Sequence, residues 1–178
     1  MSLVVFLRGV NVGTAKRFQP KLLARELEHL GVSSLGAAGT FVVRGNRSQS
    51  ALRTEFLRRL PFACDLMICQ GRDLLNLVAA DPFPEAEPNL DLRRFVSILA
   101  RRPVSPPRLP WSFPAGDQWQ LRMAGISGRF MLYHWRRREG GFVEPNGIIE
   151  KHLGVRATTR NWNTILRICS QLGEKQRS

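Results

Sequence analysis

Short apolar runs alternate with amphipathic segments along the first 80 residues of the chain. The runs are rich in β-branched and aromatic residues, which is typical of buried strands, and the segments between them carry leucine at helical spacing. The pattern predicts the order β-α-β-β-α-β and a trailing helix, which is the ferredoxin-like arrangement of two helices on one face of an antiparallel sheet. The predicted strands are Leu3–Leu7, Ser33–Ala38, Thr40–Val43 and Leu66–Cys69, and the predicted helices lie between Pro20 and Gly31, after Ser48 and over Asp73–Ala80.

Residues 92–178 follow the same order less completely. Alternating apolar and polar positions predict a hairpin that is preceded by a strand and followed by two helices. Five prolines from Pro103 to Pro114 argue against a helix where the first half has its first one, so this half is predicted to be a degraded copy with a C-terminal helix. Its predicted elements are the strands Phe95–Leu99, Trp119–Met123 and Arg129–Trp135 and the helices Ile148–Leu153 and Asn161–Leu172.

The segment 81–91 separates the two halves and differs from both in composition. It holds three prolines, four acidic residues and no basic residue, which is typical of a stiff linker. Residues 1–80 carry a net charge of +6, the linker carries −4 and residues 92–178 carry +11. We therefore expect an α+β protein of two tandem ferredoxin-like subdomains, over 1–80 and 92–178, joined by this linker.

Charge and composition narrow the class of partner. The 178 residues include 27 basic and 14 acidic ones, which gives a net charge of +13, and 23 of the basic residues are arginine. This surplus should attract polyanions, more strongly at low salt. No run approaches the roughly 18–20 apolar residues of a membrane span, and the N-terminus lacks the features of a signal peptide. We expect a cytoplasmic protein with three reduced cysteines and no membrane partner.

Signatures of catalysis and of metal binding are scarce in this sequence. The three histidines show no ligand-like spacing, and no nucleophile elbow occurs. The acidic residues fall mostly on predicted helix faces and in the linker, which gives no reason to pair two of them as acid and base. We name no catalytic residue, metal site or cofactor, and three polar segments remain as candidates for binding.

The loop after the first strand, Leu7–Thr14, contains two glycines and is followed by basic residues. Glycine loops between a strand and a helix can hold phosphates through backbone N–H groups, although this loop lacks the Gly-Lys-Ser/Thr sequence of a P-loop. The favoured interpretation is structural, with glycines that allow tight turns and Asn11 bonded to the backbone. The alternative is an anion site formed by Arg8, Asn11, Lys16 and Arg17.

The segment Thr158–Thr164 is dense in polar side chains and lies at the start of the predicted last helix. Two interpretations have equal support. In one, a threonine or Asn161 caps the helix and Trp162 fills the core. In the other, Arg160, Asn161 and Asn163 form an anion receptor at the helix N-terminus, with Trp162 as a stacking platform.

An arginine run follows the second strand of the predicted hairpin. Tyr133 and Trp135 precede it and could stack on nucleic-acid bases while Arg136, Arg137 and Arg138 bind phosphates. A solvated hairpin tip is the favoured interpretation of such a run, and nucleic-acid binding is the alternative.

Two of these segments carry a resemblance to a known family. Leu7–Gly13 (LRGVNVG) resembles the LRGINVGG opening signature of the family called domain of unknown function 1697, and Thr159–Thr164 (TRNWNT) resembles its closing signature. Ala80–Pro84 is similar to its NPF segment. The resemblance implies two ferredoxin-like subdomains and no established activity. The chain departs from the family pattern at Ala38–Thr40, where the family has SGN, and at Asn146–Ile149, where it has SKL, so it lacks part of any pocket that those residues form.

Polar motifs at both ends of the chain lead to the hypothesis that they meet in space. Arg8, Asn11, Arg160, Asn161 and Asn163 would then line one cleft between the halves, suited to an anionic ligand. The leading predicted function is binding of nucleic acid or of a phosphate-bearing small molecule without chemistry. One alternative is an enzyme that acts on a nucleotide or a phosphorylated metabolite, and another is a non-catalytic scaffold. The oligomeric state is not predicted.

Overall fold

The computed structural model describes residues 2–11, 18–83, 92–105, 108–137 and 143–173. Most of the predicted linker and the candidate residues Lys16, Arg17 and Arg138 lie outside these ranges. The chain divides into two compact units, Met1–Asn76 together with Arg167–Ser178, and Leu77–Leu166. Both boundaries fall within helices, and each of these helices is described below with the sheet that it follows in the chain. None of the helices in the described ranges has the length and apolar character that crossing a bilayer requires.

The first unit contains a four-stranded antiparallel sheet. Its elements in chain order are β1 (Leu3–Leu7), α1 (Pro20–Glu26), β2 (Val32–Leu35), β3 (Thr40–Val43), α2 (Gln49–Arg59), β4 (Leu66–Gln70) and α3 (Gly71–Ala79). The strand order is β2-β3-β1-β4, so β1 and β3 are central. Helix α1 connects β1 to β2, and helix α2 connects β3 to β4.

The apolar run at the start of the chain forms a strand that is buried along its whole length. Leu3, Val5 and Leu7 alternate along β1 and therefore share one face of the sheet. They belong to the same core cluster as Leu23 of α1 and Phe56 of α2. Both connecting helices thus cover the same face, and Val4 and Phe6, which point to the other face, are buried as well.

The turn from α1 into β2 requires glycine. A short 3₁₀ turn, Glu28–Leu30, follows α1 and ends at Gly31, whose φ is +75°. A Cβ atom at this position would lie 2.6 Å from the carbonyl oxygen of Arg44. The prediction that the helical segment stops at Gly31 is confirmed, with the 3₁₀ turn as its last part.

The second unit contains a five-stranded antiparallel sheet. Its elements are β5 (Leu92–Leu99), β6 (Trp111–Phe113), β7 (Leu121–Ser127), β8 (Phe130–Arg136), α4 (Pro145–Leu153) and β9 (Ala157–Asn161), followed by the C-terminal helix α5 (Trp162–Gly173). The strand order is β6-β7-β8-β5-β9. When β6 is set aside, the four remaining strands have the same relative order as those of the first sheet, and α4 takes the place of α2.

The predicted mixed α+β class, with two antiparallel sheets and a C-terminal helix, is confirmed. Two strands, β6 and β9, are absent from the prediction. β6 lies inside the proline-rich segment, where its residues pair with β7. Residues 157–161 form β9, although the sequence placed part of this segment at the start of the last helix, because the β-branched Thr158 and Thr159 pair with Ile98 and Ser97 of β5.

Candidate functional site

A cleft of about 380 Å³ lies where the first residues of β5 meet the end of β9 and the start of α5. β5 and β9 are antiparallel neighbours, with Phe95 opposite Asn161, so the beginning of β5 lies beside the end of β9. α5 starts directly after β9, which brings its first turn to the same place. The residues that line this β5–α5 cleft are Leu92, Arg93, Arg94, Asn161, Trp162 and Asn163.

The two arginines of the cleft are exposed and occupy consecutive strand positions, so their side chains leave opposite faces of the sheet. The guanidinium carbon of Arg93 lies 5.8 Å from the ring centroid of Trp135, and that of Arg94 lies 5.8 Å from the ring centroid of Phe83. Cation–π attraction at these distances orders the side chains without neutralising their charge. Within the described ranges, neither arginine forms an ion pair with a carboxylate.

The first turn of α5 adds a partial positive charge to the cleft. The side-chain Oδ1 of Asn161 accepts a hydrogen bond from the backbone N–H of Asn163 at 2.9 Å, so Asn161 caps the helix. The first turn carries no acidic residue, so no side chain of that turn offsets the positive end of the helix dipole. This supports the capping interpretation of Asn161 and leaves its amide N–H groups for other contacts.

Trp162 is mainly a core residue. It is 4% exposed, and its ring meets the edge of Phe83 with centroids 5.0 Å apart and an interplanar angle of 72°. Phe83 also lies 5.4 Å from the imidazole of His134. Trp162 therefore borders the cleft with only a small part of its surface. Little of its ring face is accessible for the stacking role considered from the sequence.

His134 lies behind the cleft on the same sheet. Its register partners are Arg94 on β5 and Arg122 on β7, and the side chain is 5% exposed. Burial, together with the positive charges of Arg94 and Arg122, lowers the pKa of His134 from its usual value of 6.5. The imidazole is therefore neutral at neutral pH, and within the described ranges its buried Nε2 has no hydrogen-bond partner.

Arg160 does not line the β5–α5 cleft. It lies inside β9 opposite Val96 and is 6% exposed. Its Nη1 donates to the hydroxyl of Thr158 at 3.0 Å and to the carbonyl oxygen of Thr159 at 2.8 Å. Arg160 directly precedes Asn161, the residue before the last helix, and its guanidinium is bonded to its own strand. The anion receptor that includes Arg160 stays a prediction.

The N-terminal loop is fastened by one side chain. Asn11 has φ +53°, and its Nδ2 donates to the carbonyl oxygens of Ala37 at 2.7 Å and Phe18 at 3.0 Å. Its Oδ1 accepts from the backbone N–H of Phe18 at 2.9 Å. These bonds occupy both amide hydrogens and support the structural interpretation of Asn11. Arg8 is half-buried, and the anion site predicted for this loop stays a prediction.

Of the candidates on the aromatic hairpin strand, Tyr133 has no accessible ring face. Tyr133 is 1% exposed and stacked on Phe95, with centroids 5.5 Å apart and rings 14° from parallel, so no base can reach its face. The guanidinium of Arg136 lies 4.1 Å from the Trp119 ring and donates to the Trp119 carbonyl at 3.0 Å. The other hairpin candidates are Trp135, which is half-buried, Arg137, which is exposed, and Arg138, which lies outside the described residues.

A buried hydroxyl network lies on the opposite side of this sheet from His134. Thr159 donates to the Oδ1 of Asn146 at 2.9 Å, and the hydroxyl of Ser97 lies 2.6 Å from that of Thr159. Tyr133 donates a longer bond of 3.5 Å to the same hydroxyl, and burial raises the pKa of this phenol well above its usual value of 10.0. The network connects β5, β8, β9 and α4. It could not be predicted from the sequence, because its four residues are far apart in the chain and meet only in the folded protein.

The sequence-based candidates omit Arg93 and Arg94. Two consecutive arginines after an acidic segment are evident in the sequence. Their position beside Asn161 depends on the pairing of β5 with β9, which is a long-range contact. Among the described residues, no three His, Cys, Asp or Glu side chains are grouped so that they could hold a metal ion.

Comparisons with known proteins identify a solved structure of similar fold and a matching protein family. The solved structure of the conserved bacterial protein SP0830 from Streptococcus pneumoniae superposes with a TM-score of 0.58, over 96% of this chain and 98% of that one, at 17% sequence identity. At this identity the similarity shows a shared fold alone. No curated protein matches the sequence. The model of the family described as protein of unknown function (DUF1697) matches residues 1–111. Since this match covers more than half of the sequence, the chain belongs to the DUF1697 family.

Proposed function

We propose that the second unit binds a phosphate-bearing anion in the β5–α5 cleft. The observation that carries this proposal is the lining itself, which comprises Arg93, Arg94 and the first residues of α5 and includes no carboxylate. Guanidinium groups bind phosphate through paired charge-assisted hydrogen bonds, and a helix N-terminus adds backbone dipoles of the same sign.

The asparagines give the cleft a means to distinguish ligands. Asn163 is exposed, and Asn161 uses its oxygen for the cap but retains two amide hydrogens. Carboxamides pair with polar edges of bases and with sugar hydroxyls, whereas the arginines bind the phosphate. A nucleotide unit therefore suits the cleft better than inorganic phosphate does.

The positive surface continues beyond the cleft, which favours an extended polyanion over a single nucleotide. Leu92 lies opposite Arg136 in the β5–β8 ladder, and the exposed Arg137 follows it. The net charge of +13 adds long-range attraction. We infer that nucleic acid is the main ligand class, with a phosphorylated small molecule as the second candidate.

We also propose that both units have ferredoxin-like arrangements. The order β2-β3-β1-β4, with α1 and α2 on one face, supports a ferredoxin-like arrangement for the first unit. The matching order β7-β8-β5-β9 supports a related arrangement for the second, in which β6 and its flanking prolines replace the first helix. The prediction that Arg8 and Asn11 share a site with the closing motif stays a prediction.

Fluorescence anisotropy with labelled single-stranded and duplex oligonucleotides, at low and at physiological salt, tests the proposal. The double variant Arg93→Ala/Arg94→Ala should weaken binding at least about tenfold, because two charge-assisted contacts are lost. Arg101→Ala/Arg102→Ala is the matched control, since it removes the same charge from exposed residues beyond the other end of β5. Equal losses in the two double variants, or no binding by the unmodified protein at low salt, would refute a specific cleft. Binding of nucleoside monophosphates as tight as that of oligonucleotides would point to the second candidate.

A further inference from the structure

A second cavity of about 780 Å³ lies between the edge strand β6 and helix α4, and it shares no lining residue with the β5–α5 cleft. We refer to it as the β6–α4 groove. Its volume falls in the range of about 300–1,000 Å³ that is typical of small-molecule sites. It is lined by Trp111, Ser112, Phe113, Ala115, Gly147, Ile148, Lys151 and His152.

One wall of the groove carries two aromatic side chains. Trp111 and Phe113 are two residues apart on β6 and therefore leave the same face of the strand side by side. Phe113 is 41% exposed, and the ring of Trp111 lies against the imidazole of His152, with centroids 4.4 Å apart and an interplanar angle of 36°. Such a wall favours a planar apolar body, because stacking buries ring surface on both partners.

The opposite wall, on α4, provides the ammonium group of Lys151, which has no carboxylate partner among the described residues. Glu144 accepts hydrogen bonds from the backbone N–H groups of Asn146 and Gly147, so it caps the helix. Glu150 accepts from the backbone N–H of Ala157 at 2.8 Å and pairs with an arginine. Both carboxylates of this segment are thus occupied. Within the described ranges Lys151 forms no ion pair, and it is exposed.

Charge also orients the ligand along the groove. An Oε2 atom of Glu144 lies 3.1 Å from where a Cβ of Gly147 would be, so negative charge already occupies the Gly147 end. Lys151 lies four residues, about one helical turn, further along the same face of α4. An anionic head group is therefore favoured beside Lys151, with its apolar body towards Ile148 and the aromatic wall.

The short length of β6 and its flanking prolines argue against a peptide strand as the ligand of the groove. β6 has three residues and forms the edge of the sheet. Pro110 and Pro114 flank it, and proline has no N–H to donate to an incoming strand, which is one way in which proteins protect sheet edges.

We propose that the β6–α4 groove binds a small aromatic carboxylate. This proposal is independent of the function proposed for the β5–α5 cleft.

Isothermal titration with a matched pair of probes tests the proposal. 2-Naphthoate and the uncharged 2-naphthalenemethanol share one ring system and differ in the head group. The carboxylate should bind about tenfold more tightly than the alcohol, because only the carboxylate makes a charge-assisted contact. Lys151→Gln should remove this difference, and Lys21→Gln, at an exposed position on α1, should preserve it.

A second pair of variants tests the aromatic wall. Phe113→Ser should weaken both probes about tenfold through the loss of apolar contact, whereas Leu57→Ser, which also replaces an exposed apolar side chain, should leave both unchanged. Equal affinity for the two probes, an unchanged affinity in Lys151→Gln, or no binding of 2-naphthoate up to its solubility would overturn the proposal. Because Lys151 is exposed and unpaired in the described ranges, Lys151→Gln remains informative even if Phe113→Ser fails to fold.

Discussion

Arg94 and His134 lie opposite each other in the β5–β8 ladder, and the ring of Phe83 contacts both side chains. Phe83 also packs against Trp162, which borders the β5–α5 cleft. One aromatic ring therefore connects an arginine and a tryptophan of the cleft to a buried imidazole. Protonation of His134 would place a positive charge beside Arg94, which lines the cleft.

His134 should make the stability of the protein fall in mild acid. Burial and the charges of Arg94 and Arg122 lower its pKa in the folded protein, so the unfolded chain takes up a proton first as the pH falls below about 6.5. The stabilisation is present above that pH and is lost as the pH falls towards the lowered folded pKa. We predict that urea unfolding loses more free energy between about pH 7.5 and about pH 5.5 in the unmodified protein than in His134→Gln. An equal loss in both would contradict the assignment, and His29→Gln, at an exposed position, is the control.

Asn161 allows helix capping to be separated from ligand binding. Aspartate caps helices as well as asparagine does, so Asn161→Asp should change the free energy of unfolding by less than about 0.5 kcal/mol. It places a negative charge in the β5–α5 cleft and should weaken oligonucleotide binding at least about tenfold. Asn161→Ala should show the opposite pattern, with a loss of about 1 kcal/mol of stability and a smaller loss of affinity. Comparable affinities in the two variants would argue that the cleft does not bind the anion.

Thr159 should be more important for stability than its half-buried position implies. Thr159→Val leaves the hydroxyl of Ser97, which is fully buried, and the Oδ1 of Asn146 without their shared partner. The expected loss is about 2–3 kcal/mol in chemical denaturation. Thr159→Ser keeps the hydroxyl and should lose about 1 kcal/mol at most. If the two substitutions cost the same, the hydroxyl network contributes little.

The pattern of apolar residues predicted most of the fold because local and tertiary preferences agree. β1 is apolar at every position and is buried at every position, and Gly31 ends the first helical segment where only glycine fits. The strand β9 was missed because Thr158, Arg160 and Asn161 are polar. Their strand conformation comes from pairing with β5 and from hydrogen bonds that Arg160 makes within its own strand. A polar segment beside a helix carries no periodic signal for such pairing.

The candidate site was predicted only in part, for the same reason. Asn161 and Asn163 line the cleft, but the arginines that line it with them are Arg93 and Arg94 rather than Arg160. The strand register decides which side chains meet, and a shift of one residue would move each arginine to the other face. Tyr133 is a stacking candidate from the sequence because aromatic and basic residues alternate there, yet the alternation places it in the core.

An amide titration followed by NMR locates the bound ligand on the protein. A nucleoside monophosphate, added to uniformly ¹⁵N-labelled protein at low salt, should shift the backbone amide resonances of Arg93, Arg94, Trp162 and Asn163 with one common saturation curve. The resonances near Arg101 and Arg102 should move little, since these residues lie about 25 Å along the chain from Arg93 at the rise of an extended strand. Shifts of equal size at exposed arginines throughout the chain, or shifts absent from the β5–α5 cleft, would contradict the account.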